Sequence, residues 1–284
     1  MNFFAKTALS LTALFTGCLV FSQHTFAQTN YQVREQPITV QKQLYGKLYL
    51  PQNRQGKVPL IIYSHGLGGT HTNLENFAQA LADKGIAGYV FDFQGGGRQS
   101  QSSGKTTEMS VLTEVADLED VINQARQWDF VDHEKIILIG GSQGGVVSAL
   151  AAANNPHKVA GMVLFYPAFV LEDEAKQRFP DLTKPAQDVP DFHGWIDLGG
   201  VYFDVARSLD PYGRIAQFNK PVLIVHGEKD PVVPTKYAEK AQQIYAKADL
   251  HIIKDAPHSF KDEPFFKEAL EQVEKYLAEK GLNK

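Results

Sequence analysis

The sequence predicts an α/β fold with a mostly parallel central sheet and helices on both faces. Continuous apolar runs at 58–66 and 86–97 are typical of strands that are buried on both sides. Amphipathic segments such as 111–128 alternate with such runs at the spacing of βαβ units. The chain has 284 residues, which is long enough for one large domain of this kind.

Predicted strands and helices alternate along the chain. Apolar runs and period-2 alternation predict strands at 43–51, 58–66, 86–97, 135–141, 161–168, 221–230 and 248–258. Apolar residues at helical spacing predict helices at 73–85, 111–128, 143–154, 235–246 and 263–281. Because repeated strand–helix units connect parallel strands by right-handed crossovers, the helices are expected to cover both faces of the sheet.

Residues 169–215 interrupt this alternation. They contain no buried strand and carry the stretch FPDLTKPAQDVPDFHGW. A segment of this length is too long for a plain connection. We therefore predict a cap at about 169–215, inserted between two strands of one domain that spans residues 28–284.

The first 27 residues resemble a secretory signal peptide, with Lys6 ahead of a short apolar run. Thr25-Phe26-Ala27 fits a cleavage site before Gln28, which predicts an exported protein, periplasmic or secreted. Two alternatives stay open: an uncleaved membrane anchor, and a lipoprotein box, FTGC, that would place a lipid anchor on Cys18. Cys18 is the only cysteine, so its removal would exclude a cysteine nucleophile.

Composition and charge argue against several function classes. A net charge of -4 indicates no nucleic-acid partner, and no apolar stretch approaches the roughly 18 residues that suggest a membrane span. The nine histidines show no metal-ligand spacing. The glycines at 95–97 are not followed by a helix, which argues against a phosphate-binding loop. We expect no metal and no cofactor, and a glycine tract that shapes a loop above the pocket.

A serine lies between a strand and a helix in IILIGGSQGGVVSALAAA, residues 136–153. Gly140-Gly141-Ser142-Gln143-Gly144 fits G-x-S-x-G, in which glycines permit a turn too sharp for larger side chains. The turn raises the hydroxyl of Ser142 above the sheet edge. The helix that begins beside it offers unpaired N–H groups to a developing anion. The pattern predicts that Ser142 is a catalytic nucleophile.

A serine nucleophile needs a base, and the base needs an orienting carboxylate. Asp230 follows the strand in VLIVHGEKD and His258 follows the last strand, in LHIIKDAPH, so the order is Ser, Asp, His. Both lie at carboxyl ends of strands, where open α/β sheets form their sites. The remaining candidates lie within strands or on the approach to the last loop: His226, His251 and Asp255.

The loop YSHGLGG, residues 63–69, follows a buried strand at the position where a second anion donor is expected. We predict that the backbone N–H groups of Leu67 and Gln143 form an oxyanion hole. His65 is expected either to orient this loop or to be a satisfied buried histidine.

Together these motifs resemble the α/β-hydrolase superfamily over roughly residues 40–280, and its serine esterases of the cinnamoyl or feruloyl type in particular. The similar segments are HGLGG, FDFQGGGRQSQ, MSVLTEVADLEDV, GGSQGGVVSALAA, LGGVYFDVARSLDPY and the cap after FYPA. The resemblance implies an α/β-hydrolase fold with the same triad and the same oxyanion donors. It also implies hydrolysis of hydroxycinnamoyl, other aryl or short-chain acyl esters.

In such esterases polar cap residues hold the phenolic end of the substrate, which makes Asp173, Glu174 or Tyr202 candidate substrate contacts. Two positions depart from the family pattern. Gly141 stands where a histidine is usual, and residues 94–97 have the sequence QGGG where the family usually has RGHG.

Two other functions compete with an esterase. A serine peptidase of the prolyl-oligopeptidase kind shares the fold and the triad order, but it normally carries a propeller domain, for which this chain leaves no room. A non-catalytic binding protein with this fold usually lacks a member of the triad, whereas all three are present here. We expect an enzyme that acts on a small-molecule ester.

Overall fold

The computed structural model of the protein describes residues 29–284. The predicted signal peptide, its cleavage site at Thr25-Phe26-Ala27 and the alternative lipid-anchor site at Cys18 lie outside the described residues. Within residues 29–284, no helix combines the length and the apolar character that a membrane span requires.

An eight-stranded sheet forms the centre of the fold. The strands of the described chain are β1 (Tyr31–Glu35), β2 (Ile38–Thr39), β3 (Gln43–Leu44), β4 (Gly46–Pro51), β5 (Val58–Ser64), β6 (Ala87–Phe91), β7 (Val131–Gly141), β8 (Gly161–Phe165), β9 (Val189–Phe192), β10 (Ile196–Leu198), β11 (Val222–Gly227) and β12 (Ala248–Ile253). The sheet has the order β1-β4-β6-β5-β7-β8-β11-β12. β1 and β4 pair antiparallel with their neighbours, and every pair from β6 to β12 is parallel.

Helices cover the two faces of this sheet, as the alternating pattern predicts. They are α1 (Glu75–Ala82), α2 (Val111–Ala125), α3 (Gln143–Asn154), α4 (Leu171–Arg178), α5 (Gly200–Ala206), α6 (Pro211–Ile215), α7 (Lys236–Ile244) and α8 (Phe265–Glu279). Leu60 and Ile62 of β5 pack with α2 and α3, whereas Ile61 and Tyr63 pack with α1 and α8. Successive side chains of a strand point to opposite faces, so a continuous apolar strand fills both cores.

The predicted elements are present with shifted ends. The single strand predicted over 43–51 is divided at Tyr45 into β3 and β4, because β3 pairs with β2 and β4 joins the main sheet. β1 was not predicted. Four of its five residues are exposed, so it lacks the buried pattern by which a strand is recognised. The helix 143–154 is observed at its predicted bounds.

The predicted insertion at 169–215 lies between the neighbouring strands β8 and β11 and contains secondary structure of its own. It holds α4, the antiparallel hairpin β9–β10, α5 and α6. A small apolar cluster, separate from the two cores, stabilises it and includes Ile196, Leu198 and Phe203. Because β8 and β11 are adjacent and parallel, the cap emerges at the carboxyl edge of the sheet.

Candidate active site

The turn between β7 and α3 holds Ser142 in an unusual backbone conformation, with φ of 54° and ψ of -122°. A Cβ on Gly144 would overlap the carbonyl of Ser64, and a Cβ on Gly140 would overlap the carbonyl of Gly144. Glycine at these two positions is therefore a steric requirement. The strained serine at the start of a helix has the geometry of a nucleophile elbow.

Ser142, His258 and Asp230 form one continuous hydrogen-bond chain. The Ser142 hydroxyl donates to His258 Nε2, with 3.0 Å between the two atoms. His258 Nδ1–H donates to Asp230 Oδ2 at 2.7 Å. Because an ionised carboxylate only accepts hydrogen bonds, Asp230 keeps the proton of His258 on Nδ1 and leaves Nε2 free to act as a base. The structure thus brings together the three residues that the sequence suggested.

The Asp230 side chain is buried and accepts several hydrogen bonds. Its Oδ1 accepts the backbone N–H groups of Val232 at 2.8 Å and Val233 at 2.9 Å, and His226 Nε2 lies 3.2 Å from Oδ2. Burial alone would raise the pKa of Asp230, but His226, His258 and the Val233 N–H together hold that pKa well below its usual range. The group is therefore an anion at neutral pH. His226 donates chiefly to the Val233 carbonyl, at 2.7 Å.

The loop after β5 lies directly over Ser142. A Cβ on Gly66 would stand 3.1 Å from the Ser142 Cβ. His65 ties the loop down: its Nε2 accepts the Phe93 N–H at 3.1 Å and its Nδ1–H donates to the Gly66 carbonyl at 2.8 Å. Burial lowers the pKa of His65, which is consistent with a neutral ring. His65 is thus a buried histidine with both ring nitrogens bonded, and the same bonds hold the loop, so it fits both roles expected of it.

The predicted oxyanion donors, Leu67 and Gln143, both line the cavity beside Ser142. Gln143 is the first residue of α3, where a backbone N–H has no acceptor within the helix. Leu67 lies in the turn that His65 anchors. Gln143 directly follows the turn between β7 and α3, and Leu67 belongs to the loop after β5.

A cavity of about 870 Å³ opens above Ser142, between the sheet edge and the cap. The cap contributes most of its apolar wall, through Leu171, Phe192, Trp195 and Phe203, among others. The Trp195 ring lies against Gly68 of the overlying loop. Among residues 29–284, no group of His, Cys, Asp and Glu side chains is placed to hold a metal ion.

The three candidate substrate contacts differ in their positions. Glu174 lines the cavity, and burial raises its pKa, partly offset by His193 and Arg178. Tyr202 also lines the cavity, but its hydroxyl donates to Gln143 Oε1 at 2.8 Å. Asp173 lies outside the cavity lining, and its carboxylate accepts the Tyr237 hydroxyl at 2.7 Å.

The glycine tract at 95–97 does not line the cavity, contrary to the expected loop above the pocket. A Cβ on Gly97 would stand 2.7 Å from the Gly68 carbonyl. The adjacent Arg98 reaches the cap hairpin, where it pairs with Asp191 at 3.3 Å and Asp197 at 3.2 Å. The tract therefore packs against the loop at 63–69.

Glu114 is a functional candidate that sequence reasoning missed. Its side chain is buried in α2 and accepts Gln143 Nε2–H at 2.8 Å. The sequence does indicate this burial, because Glu114 falls on the same helical stripe as Val111, Val115 and Leu118. A carboxyl group on the apolar face of a helix indicates a buried polar contact.

Comparison with known proteins agrees with this fold and site. A family described as serine aminopeptidase, S33, matches residues 56–191. An uncharacterized protein of Mycobacterium tuberculosis is 24% identical over 212 residues, which cover 73% of this chain and 65% of that protein. A monoacylglycerol lipase of Mycolicibacterium smegmatis is 25% identical over 257 residues, covering 77% of this chain and 87% of the lipase. The chain thus spans less than two thirds of the Mycobacterium tuberculosis relative.

The chain has the fold of the α/β hydrolases, and the family match and the solved structures agree with that fold. Among solved structures it is similar to Est1E from Butyrivibrio proteoclasticus with bound ferulic acid. The TM-score is 0.76 at 26% identity, and the match covers 84% of this chain and 96% of Est1E.

Proposed function

We propose that the protein is a serine-dependent carboxylic-ester hydrolase that acts through an acyl-enzyme. The hydrogen-bond chain from Asp230 through His258 to Ser142, which ends at a cavity, carries this proposal. A hydroxyl paired with a neutral imidazole and a buried carboxylate is the arrangement that activates serine.

The geometry supports a two-stage reaction. His258 Nε2 takes the proton of Ser142 as Oγ attacks the ester carbonyl, and Asp230 stabilises the resulting imidazolium. The N–H groups of Leu67 and Gln143 stabilise the oxyanion. His258 then gives its proton to the departing alcohol. In the second stage His258 takes a proton from water as the water attacks the acyl-enzyme, and it returns that proton to Ser142 Oγ as the acid leaves.

Within this class we propose hydroxycinnamoyl, other aryl or short-chain acyl esters as substrates. The aromatic cap wall, with Phe192 and Trp195, suits a flat acyl group. Glu174 places one carboxyl group inside the same cavity, where it can bond to a phenolic hydroxyl. The likeness to Est1E with ferulic acid supports this choice.

The deciding measurement is kcat/KM for methyl ferulate, p-nitrophenyl butyrate and p-nitrophenyl acetate, with Ser142→Ala as the control. Efficient turnover of methyl ferulate that depends on Ser142 is expected. Turnover of the activated short-chain esters alone would retain the serine mechanism and reject the hydroxycinnamoyl pocket. Turnover that survives Ser142→Ala would reject the serine mechanism.

A serine peptidase is the second candidate, because the matching family is described as a serine aminopeptidase. Glu174 supplies a carboxyl group in the cavity that could pair with a substrate ammonium group. An aminoacyl p-nitroanilide tests it: cleavage faster than that of the matching aminoacyl ester would favour the peptidase.

Export remains a prediction from the sequence. N-terminal analysis of protein from cell fractions tests it, since Gln28 as the first residue indicates cleavage of a signal peptide. A lipid-modified Cys18 would instead indicate the lipoprotein alternative.

A further inference from the structure

A buried hydrogen-bond chain joins the nucleophile elbow to the cap, separate from the triad. Its members, Glu114, Gln143 and Tyr202, are each no more than 2% exposed. Gln143 Nε2–H donates to Glu114 Oε2 at 2.8 Å, and the Tyr202 hydroxyl donates to Gln143 Oε1 at 2.8 Å. The amide of Gln143 is thus held at both ends, by α2 on one side and by the cap helix α5 on the other.

We propose that Glu114 and Tyr202 are positioning residues that hold Gln143, and with it the backbone N–H of Gln143, at the oxyanion hole. This inference rests on the proposed ester hydrolysis. Gln143 follows Ser142, whose backbone is strained, and the first N–H groups of α3 have no helical acceptors. Fixing the side chain of Gln143 restricts rotation of the peptide unit that carries the donor.

The burial of Glu114 argues for a role beyond packing. A buried carboxyl group with an unsatisfied oxygen destabilises a fold, and an apolar side chain of similar volume would avoid that cost. Glu114 Oε1 is such an atom, because it is buried and without a hydrogen-bond partner in the described structure. The Glu114 carboxyl therefore occupies a position where burial of a leucine side chain would cost less.

The charge state of Glu114 fits this role. Burial raises its pKa to about 8, Gln143 partly offsets that rise, and the nearby Asp117 on the same helix adds to it. The groups that face Glu114 from the other helices are neutral. The amide of Gln143, on α3, contacts Glu114 directly, and the phenol of Tyr202, on α5, contacts the other end of that amide. A neutral carboxyl group holds Gln143 without placing a negative charge near the developing oxyanion.

The test compares Tyr202→Phe, Glu114→Leu and Glu114→Gln with the wild type. Tyr245→Phe is the matched control, because Tyr245 is also buried but its hydroxyl has no hydrogen-bond partner in the described structure. The readouts are kcat and KM for p-nitrophenyl acetate and the affinity for a trifluoromethyl ketone, whose adduct with serine carries an oxyanion. Melting temperature is measured in parallel.

Tyr202→Phe and Glu114→Leu should each lower kcat about tenfold, part of the 10²–10³ that a whole oxyanion donor contributes. KM should change little, and ketone affinity should fall by the same factor as kcat. Glu114→Gln mimics the protonated acid, so it should restore kcat near neutral pH. We expect the wild type to lose rate above about pH 8, where Glu114 ionises, and Glu114→Gln to show no such loss.

Wild-type kcat in Tyr202→Phe, with only a lower melting temperature, would overturn the inference, as would a change confined to KM. Tyr202→Phe removes a single oxygen, so it decides the question even where Glu114→Leu fails to fold. Absence of esterase activity and of phosphonate labelling at Ser142 in the wild type would instead reject the proposed function itself.

Discussion

Two buried carboxyl groups flank the elbow, and their surroundings give them different charge states at neutral pH: Asp230 is ionised and Glu114 is protonated. Burial alone would raise both pKa values. At Asp230 the donors His226, His258 and the Val233 N–H reverse that effect and keep the group ionised. Glu114 accepts one side-chain donor, from Gln143, and its pKa rises to about 8. Burial acts in the same direction at both groups, and the donors around Asp230 outweigh it there, which keeps Asp230 ionised at neutral pH.

The difference matches two electrostatic demands of the proposed reaction. A positive imidazolium forms beside Asp230, where an anion stabilises it. A negative oxyanion forms beside Gln143, where an anion at Glu114 would oppose it. Environments that push the pKa values of two acids apart thus separate their roles.

The same acid-to-amide substitution at both sites gives the sharpest contrast. Asp230→Asn should lower kcat by about 10⁴, because an amide no longer holds the required tautomer of His258. Glu114→Gln should stay near the wild type at pH 7. Steady-state kinetics of both variants on one p-nitrophenyl ester measures the contrast. Equal losses at the two sites would contradict the neutral state assigned to Glu114.

Stability should respond to pH through Glu114. Its pKa rises on folding from 4.5 to about 8, so the folded protein binds this proton more tightly than the unfolded chain. The resulting stabilisation is complete below pH 4.5 and is lost as pH rises through about 8. Glu114→Gln should therefore gain a few kcal/mol in unfolding free energy relative to the wild type between pH 5 and pH 9. Urea denaturation at both pH values measures this gain. A difference in unfolding free energy between Glu114→Gln and the wild type that is the same at pH 5 and pH 9 would contradict it.

Asp230 should show the opposite dependence. Its pKa falls on folding from 3.8, so the stabilisation is present above that value and is lost as pH falls below it. Acid denaturation is compared between the Ser142→Ala variant and the Ser142→Ala/Asp230→Asn double variant, neither of which should turn over substrate. The substitution should cost less stability at pH 3 than at pH 6. A larger cost at pH 3 would contradict the assigned charge of Asp230.

Glu174 extends the comparison to a third carboxyl group, in the cavity. Glu174→Gln should raise KM for methyl ferulate about fivefold, the value of one ordinary hydrogen bond, and leave p-nitrophenyl acetate unaffected. Asp173→Asn is the neighbouring control, because Asp173 lies outside the cavity lining. Equal effects of the two variants would point to the general charge of the cap instead of a contact by Glu174.

The sequence predicted some parts of the molecule well and others poorly. The helix 143–154 was predicted at its observed bounds, because the steric demand of the glycines around Ser142 is local. The interior of the cap was not predicted, since its hairpin is only 4 and 3 residues per strand and its apolar cluster also draws on Met109. β1 was not predicted, because it is an exposed edge strand without a buried face.

The sequence by itself determined the α/β alternation, the strand–turn–helix around Ser142 and the order of Asp230 and His258 after it. These features depend on local patterns of apolar residues and glycines. Only the tertiary structure decided which acid is charged and what holds Gln143. Several of the donors and acceptors involved, those that join Asp230 to His258 and Gln143 to Glu114 and Tyr202, are 28 to 59 residues apart in the chain, and a pKa depends on such neighbours in space.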